Sequence, residues 1–307
     1  METKIELSVY GTRGSCATGN REYMEFGGDT SSYTLRHNDT LHFLDAGSGI
    51  RRAMAKELNQ EIKNANIYLT HGHADHIDMG CAGSIYFNNL LGKIRLLGYK
   101  PITEALNHFF DGKYTWPVSL ENIKGLNPEI VGVEGGESFV HQTYKLSTLK
   151  NYHPFDSKNP EKNYGGSVGF RWDIKKESGD LVSIAYVTDM EFDYMAGGKV
   201  QPKADELKKE FVNFVKDVDV LVADTQFTEQ EYNITRKMVR GFGHSYLEQI
   251  IDLSNQAGVK TLLGAHHDPT HTDEILRGLE RHGQDYARTN GFRGNFAYAR
   301  DGDKISL

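Results

Sequence analysis

The chain reads as an α/β protein: two mixed β-sheets packed face to face with helices outside, a four-layer αββα sandwich. Three observations carry that reading. Short β-rich runs alternate with helical patterns almost from end to end. Strands and helices occur in both halves, so each half can supply a sheet and its helices. The length, 307 residues, is about the size at which one hydrophobic core stops growing. No low-complexity stretch, charge block or Pro/Ser linker interrupts the alternation, so a single domain over 1–307 is expected.

In order along the chain, Lys4–Tyr10, Ser32–His37 and Thr40–Leu44 are predicted strands. The last two are separated by Asn38-Asp39, a dipeptide suited to a two-residue hairpin turn. Ile50–Leu58 has a helical pattern, Asn66–Thr70 is a short apolar strand, and Ile94–Tyr99 is another strand before a helix at Thr103–Phe110. The middle returns to strands at Ser138–Val140, Tyr144–Leu149, Ser167–Ile174 and Leu181–Thr188, rich in β-branched and aromatic residues, with Ser178-Gly179-Asp180 as a turn. Helices are then expected at Asp205–Lys216, Tyr246–Gln256 (stopped by Gly258) and Asp273–Arg281, and buried strands at Val218–Ala223 and Lys260–Leu263.

Composition narrows the class. With 38% hydrophobic and 25% charged residues the chain is ordinary for a globular protein, and no apolar run reaches membrane-spanning length. The two cysteines, Cys16 and Cys81, cannot frame a disulfide scaffold, and the N-terminus has no basic segment leading into an apolar one, so a reducing, cytoplasmic setting is expected. A net charge of -7 argues against a main affinity for a long nucleic acid and leaves room for a small anionic substrate. Thirteen histidines and 32 glycines stand against 7 prolines, so the histidines need an account.

The strand Asn66–Thr70 runs directly into His71-Gly72-His73-Ala74-Asp75-His76. At this composition, chance would place three histidines and an aspartate in that template in roughly two chains per thousand. Residues i and i+2 leaving a strand point the same way, so His71 and His73 can grip one ion together. Asp75 and His76 follow where the chain turns and can face a second, with donors suited to Zn²⁺ or its neighbours.

This HxHxDH run resembles the signature of the metallo-β-lactamase superfamily, and the remaining motifs of that family have counterparts in order. His153 follows the run Tyr144–Leu149, Asp189 follows Ile184–Thr188, and His266-His267 follows Thr261–Ala265. The resemblance implies His71, His73, His153 and a bridging Asp189 around one divalent ion, and Asp75, His76, Asp189 and His266 around another. His266 is preferred to His267 because it comes first after the apolar run, with the register open by one residue. Zn²⁺ is the leading ion and Mn²⁺ the alternative. An isolated His153 would otherwise be an ordinary hydrogen-bonded histidine, and an isolated Asp189 a turn or cap residue.

Three further features resemble the phosphodiesterase and transfer-RNA 3′-endonuclease branch. Gly11-Thr12-Arg13-Gly14-Ser15 and Gly27-Gly28-Asp29-Thr30 form glycine turns that would allow close backbone approach to substrate. Gly241-Phe242-Gly243-His244-Ser245 precedes a helix, and the resemblance makes His244 a proton donor near the leaving group, with Asp75 the second catalytic residue. Ser245 alone would pass as an N-cap. Asp45 and Asp224 end strands, where the resemblance suggests that they orient ligand histidines, Asp224 the weaker case.

The departures matter too. The transfer-RNA endonucleases carry a long arm between the third and fourth motifs, whereas 35 residues lie between His153 and Asp189 and read as one hairpin. Common class B β-lactamases use a cysteine at the fourth motif, and both cysteines here lie upstream of it. Flavodiiron relatives replace the second motif histidine with glutamate, and here it is His73. The expectation is therefore a dinuclear metallophosphodiesterase acting on a small phosphodiester such as a cyclic nucleotide. The alternatives are a thioester or lactone hydrolase, a transfer-RNA 3′-processing endonuclease, and a nucleotide sensor that does not hydrolyse. A homodimer is left open. The stretch at about 81–136 reads as an insertion whose Phe87, Tyr99, Phe109, Phe110, Tyr114 and Trp116 stack on a base or, more ordinarily, form core or a dimer contact.

Overall fold

The structure, a computed structural model, describes residues 4–59, 61–81, 94–123, 126–154, 164–234 and 239–307. The chain divides into two compact units, Met1–Val133 with Arg300–Leu307, and Glu134–Ala299. Each is built on its own seven-stranded sheet.

The first unit holds β1 (Ile5–Gly11), β2 (Ser32–His37), β3 (Thr40–Leu44), β4 (Asn64–Leu69), β5 (Ile94–Tyr99), β6 (Leu126–Val133) and β16 (Lys304–Ser306), in the order β16-β1-β2-β3-β4-β5-β6. Pairing is antiparallel from β16 to β3 and parallel from β3 to β6. The switch is local chemistry. Asn38 takes φ 55° and closes the β2–β3 hairpin, a conformation that asparagine tolerates. Parallel partners instead need crossovers, supplied by α1 (Ile50–Glu57) between β3 and β4 and α3 (Ile102–Phe109) between β5 and β6; the short α2 (Ala74–Ile77) follows β4. Ile50, Ala53, Met54 and Glu57 form the buried face of α1, at i, i+3, i+4 and i+7. Its apolar members pack with Leu41, Phe43, Ile67 and Leu69 in one core, where each large apolar side chain contributes about 1.5–3 kcal/mol.

The second unit repeats the plan. Strands β7 (Ser138–Val140), β8 (Tyr144–Tyr152), β9 (Tyr164–Lys175), β10 (Leu181–Val187), β13 (Val220–Asp224), β14 (Thr261–Ala265) and β15 (Asn295–Tyr298) lie in the order β15-β14-β13-β10-β9-β8-β7. Pairing is antiparallel from β7 to β10 and parallel from β10 to β15. The helices are α4 (Ala204–Phe214), α5 (Glu229–Asn233), α6 (Leu247–Ala257) and α7 (Asp273–Thr289), and a small hairpin joins β11 (Tyr194–Met195) to β12 (Lys199–Val200). Gly258, at φ 73°, ends α6 as a left-handed cap. In each sheet the carboxyl ends of the parallel strands share one edge, the position at which α/β sheets bind ligands.

Within the stretch expected as an insertion, β5 and β6 are strands of the first sheet and α3 packs on its core. Phe110 is buried, and Phe109 and Trp116 pack against the same core with rings stacked at 6.3 Å, so these three are core residues. Tyr114 is 82% exposed, while Phe87 lies outside the described residues. Among the described residues no helix is long and apolar enough to cross a membrane.

Candidate metal centre

The first unit places its ligand candidates at the end of β4. After Leu69 the chain passes through His71 to His73, which is itself extended and is the N-cap of α2. The His71 ring lies 4.4 Å from that of His73 and 4.3 Å from that of His76. Asp75 Oδ2 is 3.3 Å from His76 Nε2 and accepts the backbone N–H of Ser15 at 2.7 Å. The whole HxHxDH run is thus drawn into one cluster.

Asp45, fully buried at the end of the neighbouring strand β3, sets the orientation. Its Oδ1 accepts the Thr70 N–H at 2.8 Å, the Thr70 hydroxyl reaches both carboxylate oxygens at 3.0 Å, and Oδ2 meets His76 Nδ1 at 2.7 Å. That contact assigns the proton of His76 to Nδ1 and turns Nε2 to the side of Asp75, as an imidazole ligand requires. The Thr70 hydroxyl also lies 3.1 Å from His71 Nδ1. Gly11, expected in a turn, is the last residue of β1 and serves packing within this unit, since a Cβ there would fall 1.8 Å from the Thr30 carbonyl oxygen.

The second unit collects His153, Asp189, Asp224 and His266 at strand ends. Each ends β8, β10, β13 or β14 or follows it within two residues, and these strands run in the same direction. Asp189 Oδ1 lies 3.3 Å from His266 Nε2 and 3.8 Å from His153 Nε2. The opposite ring nitrogens are anchored: His153 Nδ1 to the Gly243 carbonyl at 3.0 Å, and His266 Nδ1 to Gln226 Oε1 at 3.3 Å. Asp189 and His266 take left-handed φ values of 56° and 62°. Positive φ is uncommon for any residue with a side chain, although aspartate and histidine adopt it more readily than most, and such backbone clusters at functional sites. His267 turns away, with Nε2 3.0 Å from the Ala299 carbonyl and its ring against Tyr298.

His244 stands among these residues. Its Nδ1 meets Asp224 Oδ2 at 2.7 Å and its ring stacks on His266 at 4.8 Å. Burial opposes its protonation, but Asp224, with Asp189 and Glu191, outweighs that and lifts its pKa to about 9. Ser245 is not an N-cap: Tyr246 holds that position, and the Ser245 hydroxyl donates to the Met190 carbonyl.

Two sets of donor atoms lie mutually within 4.8 Å here, His153 with Asp189 and His244, and Asp224 with His244 and His266. Of these, the His153, Asp189 and His266 donors fit a divalent ion of the zinc type, while His244 is already held by Asp224 at 2.7 Å. Sequence reasoning missed Thr70, Gln226 and Glu191, which act through hydrogen bonds rather than as ligands. Glu191 is buried; burial pushes its pKa up to about 7 against the bonds it accepts from the Gly241 and Gly243 N–H groups at 2.8 and 2.7 Å and from the Tyr232 hydroxyl. The remaining histidines have other partners, such as Glu231 for His271 and Glu248 for His282.

No protein-family model matches the chain. Ribonuclease Z of Thermoplasma acidophilum is 26% identical to it over 298 residues, 89% of this chain and 89% of that one. Among solved structures, the metallo-β-lactamase fold protein YhfI from Bacillus subtilis is similar with a TM-score of 0.64 and 16% identity, over 99% of this chain and 100% of that one. Unliganded yeast PDE1 is similar with a TM-score of 0.63 and 16% identity, over 99% and 100%.

Proposed function

Because the chain has the metallo-β-lactamase fold, we propose that it is a metal-dependent hydrolase of phosphodiester bonds. The proposed ligands are His71, His73, His153 and Asp189 for one ion, and Asp75, His76, Asp189 and His266 for the other. One observation supports this above the rest. His76, His153 and His266 are each anchored through Nδ1 and turned so that Nε2 faces a carboxylate, at 3.3 to 3.8 Å. That is the arrangement an ion between imidazole and carboxylate needs.

Bound divalent ions would supply Lewis acidity toward the phosphoryl oxygens and a water acidified to near neutral pH. The protein's own groups do the rest. Asp75, steadied by the Ser15 N–H, orients the attacking water. His244 gives its proton to the departing oxygen. With Nδ1 bonded to Asp224, Nε2 is the nitrogen that donates, and such a general acid contributes roughly 10²–10⁴ in rate.

A small phosphodiester such as a cyclic nucleotide is the leading substrate class. The net charge of -7 and the 35 residues between His153 and Asp189 support it, because an RNA-gripping arm would need length and positive charge. RNA 3′-end cleavage is the second reading, favoured by the similarity to ribonuclease Z along 89% of both chains. Protein loaded with Zn²⁺ or Mn²⁺ should be assayed on bis(p-nitrophenyl) phosphate, a cyclic nucleotide panel and a 3′-extended precursor transfer RNA. Cleavage of the small esters alone supports the first reading, and cleavage of the RNA the second. Thioester or lactone hydrolysis without diester cleavage would overturn both. Tight cyclic-nucleotide binding without turnover would indicate a sensor.

A further inference from the structure

Between Gly241 and Ser245, one large apolar side chain is turned out of an otherwise buried stretch. Val239, His244 and Ser245 are buried, as are Gly241 and Gly243, whereas Phe242 is 59% exposed. The cause is Glu191. Its two carboxylate oxygens accept the N–H groups of Gly241 and Gly243 at 2.8 and 2.7 Å, so both glycines face inward and the residue between them must face out. Both have left-handed φ, 83° and 91°, which an L side chain would resist. A Cβ on Gly241 would fall 2.1 Å from the Met195 carbonyl oxygen, and one on Gly243 2.1 Å from His153 Nδ1.

A lone exposed apolar residue needs no explanation by itself. This one is clamped on both sides by a single buried carboxylate, stands two residues from His244, and adjoins the carbonyl that anchors His153. An aromatic face held that way is a platform for a planar group, and every nucleobase offers one. We infer that Phe242 is a stacking platform for a nucleobase next to the scissile phosphate, making it a specificity-determining residue presented by the Glu191 clamp. This deepens, and rests on, the phosphodiesterase reading: the substrate class becomes nucleotide esters rather than phosphodiesters in general.

The test compares thymidine 5′-(p-nitrophenyl phosphate), which carries a base, with methyl p-nitrophenyl phosphate, which does not, on metal-loaded protein. Phe242→Ala should raise KM for the thymidine ester roughly tenfold more than for the methyl ester, with the loss falling on KM rather than kcat. Phe242→Trp should restore the ratio, since it returns an aromatic face. Equal changes on both esters, or none on the thymidine ester, would overturn the inference. Calorimetric binding of thymidine 5′-monophosphate to wild type and Phe242→Ala separates the two claims. If neither ester turns over yet the nucleotide binds in a Phe242-dependent way, the hydrolase reading fails and the stacking inference stands; binding indifferent to Phe242, or absent from wild type, removes the inference.

Discussion

His76, a proposed ligand, shows how much of such a residue's chemistry resides in a neighbour outside the ligand set. Asp45 holds its Nδ1 at 2.7 Å from inside a fully buried site, so Asp45→Ala should weaken divalent-ion affinity by about 10–100-fold. Competition with a chromophoric chelator reads this, and unchanged affinity would remove the orienting role. His73→Ala should lose bound metal outright, measured by metal content after desalting. His244→Ala should keep its metal and lose roughly 10²–10⁴ in kcat; a fully active variant would remove the proton-donor assignment. The sequence makes His71, His73, Asp75 and His76 legible because they are contiguous, and Asp45 because it ends a strand. Glu191 and Thr70 are silent there, since an acid that bonds backbone N–H groups 50 residues away leaves no local spacing to read.

Strands and helices place those side chains, and their legibility follows their periodicity. The strands Ser32–His37, Thr40–Leu44 and Ile94–Tyr99 fall where alternation puts them. By contrast β6 carries a proline and a glycine, while β16 has three residues and takes its place only by pairing with β1 across the chain. Helix α5 is short but closed by a capping box, in which Thr228 accepts the Glu231 N–H and Glu231 reaches back to the Thr228 N–H at 2.8 Å. Thr228→Ala should cost about 1 kcal/mol in urea unfolding. Burial works against ionisation of Glu231, yet the bonds from His271 and Thr228 win and draw its pKa from 4.5 down to about 2. A folded pKa below the unfolded one makes this stabilisation complete above about pH 4.5 and lost as pH falls toward 2. Glu231→Gln should therefore flatten the acid limb of the stability profile. An unchanged limb would show that the pairing contributes nothing.

At the scale of the whole molecule the two sheets share one plan, antiparallel pairings followed by parallel ones, and each gathers its candidate ligands at strand carboxyl ends. The sequence shows the alternation that makes two sheets but no internal repetition, because the shared plan lies in pairing order rather than in residue identities. An ion bound by the folded state alone stabilises it by mass action, about 2.7 kcal/mol at a hundredfold excess over Kd. Chelation should accordingly lower the melting temperature, and added Zn²⁺ should raise it again; a melting curve indifferent to chelator would mean that no structural or catalytic ion is held. Metal-dependent cleavage of a phosphodiester bond is read from release of p-nitrophenol from bis(p-nitrophenyl) phosphate by chelated and by Zn²⁺- or Mn²⁺-loaded protein. Turnover should vanish on chelation and return with the ion; turnover that persists in chelator, or none with either ion, would show that the chain is not a metal-dependent phosphodiesterase.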